Sequence, residues 1–95
     1  MTDTMKIKLY LLLDSIDYHY DLYSGRIVLE DNTLIGRHSS STLDHLRQDL
    51  LHFNLDKLEG PDFNKKTFKE QSEIIRDKYE VIDFLSEPIV SRFRK

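Results

Sequence analysis

The sequence predicts an α+β fold, an N-terminal antiparallel β-meander of three to four strands packed against two C-terminal helices. Three observations predict it. Apolar and polar residues alternate over much of 6–29, the period of two that a half-buried strand shows. From Leu43 onward the apolar residues recur every three or four positions, the period of a helix with one buried stripe. The strand-like runs are separated by two-residue polar breaks, short enough to join strands that pair side by side.

Residues 1–4 read as a frayed end. In 6–13 Ile7, Leu9, Leu11 and Leu13 fall on one face and Lys6, Lys8 and Tyr10 on the other, which predicts strand one. Asp14-Ser15 reads as a tight turn. Strand two follows at about 16–23, where Ile16, Tyr18, Tyr20 and Leu22 alternate with Asp17, His19 and Asp21. Ser24-Gly25 is the next expected turn, because glycine accepts the positive φ of hairpin turns. Arg26 to Glu30 predicts strand three, Asp31-Asn32 a further turn, and 33–35 a short fourth strand ending at Gly36. Three or four strands do not stand alone, so one face must be covered.

The helices supply the cover. Thr42 and the serines before it offer hydroxyls to the free amides of a first turn, and Asp44 sits near the positive end of the dipole. Leu43, Leu46, Leu50 and Phe53 then form one stripe, so helix one is expected over about 42–58, ended by Gly60-Pro61. Helix two is expected over 64–86, with Thr67 and Glu70 spaced as a capping box. Tyr79 to Leu85 also reads as a fifth strand. Pro88 stops any continuation, leaving 87–95 as a loosely packed tail. The expectation is one domain over 1–95.

Composition narrows the function classes. With 95 residues and no cysteine, the chain holds no disulfide framework, thiol nucleophile or cysteine-ligated metal. No run suggests a signal core or membrane span, and a cytoplasmic location is expected, in its own cell or a host's. The net charge is −3. Residues 1–63 carry 6 Lys/Arg against 11 Asp/Glu (−5), and residues 64–95 carry 8 against 6 (+2). The acidic part disfavours a general nucleic-acid binder, which needs a basic face to release counterions. The tail residues Arg92, Arg94 and Lys95 are the local exception and carry the alternative reading, a small nucleic-acid-binding regulator.

No catalytic residue is singled out, and an enzyme is not expected. His38 beside Ser39, Ser40 and Ser41 lacks the strained elbow of a nucleophile, and helix capping accounts for the hydroxyls. His45, Asp49, His52 and Asp56 are spaced to share a helix face and carry ligand chemistry. A solvated polar face explains them as well, so neither metal nor cofactor is expected. A metal-dependent enzyme centred there ranks last. The leading expectation is a small protein–protein interaction module that regulates or inhibits a larger partner. Phage and mobile-element inhibitors and toxin-neutralising immunity proteins share its size, acidity and lack of cofactor chemistry. The expected contact residues are Tyr10, Asp17, His19, Asp21 and Tyr23, an acidic tyrosine-bearing surface suited to a basic protein. Tyr18 and Tyr20 are expected in the core. An exposed meander edge offers a route to a homodimer.

Overall fold

The computed structural model describes residues 5–85. Its order is β1 (Ile7–Asp17), β2 (Leu22–Leu29), β3 (Leu34–Ser40), α1 (Leu43–His52), α2 (Asp56–Glu59), a 3-10 turn (Pro61–Lys65), α3 (Phe68–Lys78) and β4 (Tyr79–Asp83). The sheet order is β3-β2-β1-β4. β1–β2 and β2–β3 are antiparallel, whereas β4 runs parallel to β1. The α+β expectation holds, with a mixed rather than wholly antiparallel sheet.

The helices cover one face. Leu9, Leu11 and Leu13 from β1, Ile27 from β2 and Ile35 from β3 meet Leu46 and Leu50 of α1, with Leu55, Phe63, Ile75, Tyr79 and Leu85 completing the core. α1 lies against β2 and β3, and α3 against β4.

Strand boundaries differ from expectation, and one extra residue explains much of it. β1 does not turn at Asp14-Ser15. Leu13 pairs with Gly25 and Ser15 with Ser24, leaving Asp14 as a β-bulge held by an ion pair with Arg26. A bulge shifts the two-residue phase. Before it odd residues face the helices; after it Ile16 does, together with its cross-strand partner Tyr23. The reversal comes at residues 18–21 instead. The Asp17 carboxylate accepts the amides of His19 at 3.0 Å and Tyr20 at 3.3 Å, and Asp21 takes φ 53°. Tyr18 and Tyr20, expected in the core, therefore stand at a hairpin tip.

Ser24-Gly25 lies inside β2 and not at a turn. A Cβ on Gly25 would sit 2.7 Å from the Leu12 carbonyl oxygen and 3.2 Å from Leu46 Cδ2. The glycine is required by close approach rather than by a turn. Asp31-Asn32 does form the expected reversal: Asn32 takes φ 73°, and the Thr33 amide donates to Asp31. β3 then runs past Gly36 to Ser40, with a second irregularity at Ile35.

Thr42 caps α1 as expected, accepting the His45 amide at 3.0 Å. The predicted long helix is bent, because Asn54 replaces the backbone at the break. Its Nδ2 donates to the Leu50 carbonyl at 3.0 Å, the oxygen that a continuing helix would bond through an amide four residues on. The second predicted helix is shorter than expected. A 3-10 turn precedes the Thr67–Glu70 capping box, which is fully formed, and α3 ends at Lys78. Tyr79 to Asp83 then pairs with Ile7 to Leu11, so the strand reading of this segment holds. Glu59 locks the junction, accepting the Tyr79 hydroxyl at 2.5 Å and pairing with Lys78 at 2.9 Å.

Candidate interaction surface

The expected contact residues do not share one face. Asp17, His19 and Asp21 lie at the β1–β2 tip. Tyr23 turns inward and packs against the core. Tyr10 lies on the sheet face opposite the helices, its ring stacked with Phe84 at 6.4 Å. Arg92, Arg94 and Lys95 lie outside the described residues.

The tip is built by the strands below it. β1 and β2 stay paired out to Asp17–Leu22, and the Asp17 cap holds the four-residue reversal. The segment Asp-Tyr-His-Tyr-Asp presents two carboxylates and two phenols. Tyr18 is 63% and Tyr20 72% exposed. His19 and Tyr20 meet edge to face at 4.5 Å, giving the tip a defined aromatic shape.

The second surface was not foreseen. No helix among the described elements covers the sheet face bearing Tyr10. Leu12 of β1, Val28 of β2, Leu34 of β3, and Ile82 and Phe84 at β4 share it with Tyr10. Val28 is only 4% exposed, although it stands apart from the helix-side core. Its pair partners Tyr10 and Leu34 flank it on this outer face. A shallow cleft of about 330 Å³ runs between Tyr10, Leu12, Val28, Leu29, Glu30 and Asn32. The available signal was Leu12, an apolar residue in the polar phase of strand one.

The helix-side polar groups disperse to local partners. Asp49 accepts the Ser40 hydroxyl at 2.7 Å and pairs with His38 at 3.1 Å. Ser40 thus donates to a carboxylate and not to an imidazole, an arrangement that does not activate a serine. His52 Nδ1 meets Gln71 Oε1 at 2.6 Å, while Gln71 Nε2 donates to the Phe63 carbonyl at 2.8 Å. Asp56 falls beyond the bend, in α2. Among the described residues no three His, Asp or Glu side chains are grouped to hold a metal ion.

The edges differ. β3 carries the Ile35 irregularity, and Lys57 Nζ donates to the Ile35 carbonyl at 2.7 Å. Irregularity and lysine together oppose pairing along that edge. β4 is five residues long. No described helix is long and apolar enough to cross a membrane.

Fold and surfaces together define an α+β domain in which, among the described residues, helices cover one face of the sheet and not the other. In comparison with known proteins, the chain matches no family model, no curated protein and no solved structure.

Proposed function

We propose that the protein is an interaction module that grips a larger partner through the β1–β2 tip and thereby regulates or inhibits it. One observation carries this reading: two largely exposed tyrosines are held between two aspartates on a capped hairpin. Tyrosine supplies large contact area at low entropic cost, and it is enriched where proteins meet. Preorganisation by the Asp17 cap reduces the ordering that binding would otherwise require. The flanking carboxylates favour a basic patch on the partner and speed the encounter at low salt.

The test compares capture from nuclease-treated lysate of the native cell by the wild type and by a Tyr18→Ser/Tyr20→Ser variant. One stoichiometric protein should be retained by the wild type and lost by the variant, with unchanged circular dichroism. With that partner purified, Asp21→Asn should slow association while preserving the left-handed residue that aspartate and asparagine both tolerate. Equal affinity of wild type and the double tyrosine variant would remove the tip from the interface.

A further inference from the structure

We infer that the polar end of the outer sheet face, next to the tip, is a binding site for the phosphate group of a phosphate monoester. Strand pairing sets Arg26 directly opposite Arg37, with Ser15, Ser24 and Ser39 side by side in the next row towards the tip. Residues two apart on a strand share a face. Arg26 and Ser24 of β2 and Arg37 and Ser39 of β3 therefore form one rectangle of side chains, about 5 Å across the strands and about 7 Å along them. Donors at that spacing reach different oxygens of a single oxyanion.

Like charges directly opposite each other destabilise a sheet, yet two arginines stand there. Among the described residues only one is neutralised. Asp14, the bulged residue of β1, pairs with Arg26 and holds its guanidinium in place. Arg37 is exposed and, among the described residues, forms no ion pair. The other irregularity of the sheet, at Ile35, comes two residues before Arg37. Bulges re-aim side chains and are enriched next to active sites, and here both irregularities bear on the same arginine pair.

The hydroxyls supply the complement. Ser24 Oγ and Ser39 Oγ lie 2.7 Å apart; whichever donates, the other keeps its own proton for a ligand. Arginine forks and a hydroxyl donor together select an oxyanion. Donors arriving from two strands, outside one plane, suit the tetrahedral oxygens of phosphate rather than the planar pair of a carboxylate. Charge agrees. With Arg26 and Arg37 against Asp14 (2 − 1) the cluster is +1, on a chain of net charge −3. Lys6, Lys8, Glu30 and Glu80 stand at the other end of the face, beyond the row of Tyr10 and Val28. Asp17 lies towards the tip, its carboxylate turned to the His19 and Tyr20 amides.

The experiment follows the amide and arginine Nε–H resonances of the isotope-labelled full chain as inorganic phosphate, adenosine monophosphate or a phosphoserine peptide is added at constant ionic strength. Saturable shifts centred on Arg37 and Ser39 are expected, with a Kd of about 1 mM or below. Arg37→Gln should weaken binding at least about tenfold, and Arg37→Lys, which keeps the charge but not the fork, should weaken it less. Both changes fall at an exposed edge position and should leave circular dichroism unchanged, and Arg76→Gln on α3 should leave binding unchanged. A gain over inorganic phosphate with the nucleotide or with the peptide identifies where the phosphate comes from; three equal affinities make the free ion the ligand. Shifts that stay linear to about 20 mM, an equal response to chloride, or full binding by Arg37→Gln would overturn the inference.

Discussion

Gly36→Ala tests how the helix bend and the sheet fit together. A Cβ at this position would lie 2.0 Å from Asn54 Oδ1, 2.4 Å from its Cγ and 3.1 Å from its Cβ. Rotating the amide leaves Cγ in place at 2.4 Å, so the side chain must swing away to another rotamer. Asn54 is 7% exposed and donates to the Leu50 carbonyl. Expelling it loses one hydrogen bond, about 1 kcal/mol, and strands a buried acceptor at a further ~1–3 kcal/mol. The expected destabilisation is about 2–4 kcal/mol, a large share of the ~5–15 kcal/mol that holds a domain of this kind together. With a urea slope of about 2 kcal/mol/M, the midpoint should fall by roughly 1–2 M at unchanged slope. Asn54→Gly removes the obstructing atoms, so the double variant should be no less stable than Asn54→Gly alone. The cycle then shows a coupling of about 2 kcal/mol or more. A Gly36→Ala midpoint within about 0.3 M of wild type, or strictly additive effects, would refute the packing argument.

Three further outcomes are expected. Thr67→Ala should cost about 1 kcal/mol by removing half of the capping box that opens α3, read as a lowered urea midpoint. Burial, then the hydrogen bond to Glu59, raises the Tyr79 hydroxyl pKa well above its ordinary 10; ultraviolet titration should therefore show a tyrosine that ionises only well above pH 10, a step absent from Tyr79→Phe. Burial alone would raise Glu59, but hydrogen bonds from Tyr79 and Lys78 more than offset it and hold the carboxyl below its ordinary 4.5. A carboxyl depressed in the folded state stabilises above its unfolded pKa and loses that contribution as pH falls through the folded value. Glu59→Gln should then destabilise by about 1–2 kcal/mol at pH 7 and flatten the stability profile below pH ~4.5, measured by urea midpoints across pH.

Periodicity was the reliable signal in this chain, and phase was the unreliable one. Leu9, Leu11 and Leu13 were legible as core because their alternation is unbroken. Beyond them, Asp14 adds a residue that no local pattern announces, since the bulge is stabilised by Arg26 from the neighbouring strand. Gly25 misleads for a related reason. Its absence of a side chain serves Leu12 and Leu46, contacts remote in sequence, while a turn is the nearest local explanation. The tip residues Tyr18 and Tyr20 have strand-forming side chains, yet the Asp17 carboxylate closes the chain around them. Capping at Thr42 and Thr67 was readable because it is made within three residues. β4 was ambiguous because its strand character depends on β1, at the other end of the chain. The outer sheet face was hidden for the same reason: its members come from four strands, and only Leu12 hinted at it.

The parallel pairing of β4 with β1 carries a kinetic consequence. β1 is made before the other described strands, yet its second neighbour, β4, is the last of them to be made. During synthesis the β1–β2–β3 ribbon can form by local closure, but its β1 flank stays bare until the whole helical connection has emerged. That interval is when an unpaired strand edge is most open to mispairing with another nascent chain. Synthesis order and sheet order run against each other here, so closure of the β1 flank should be the late step of folding.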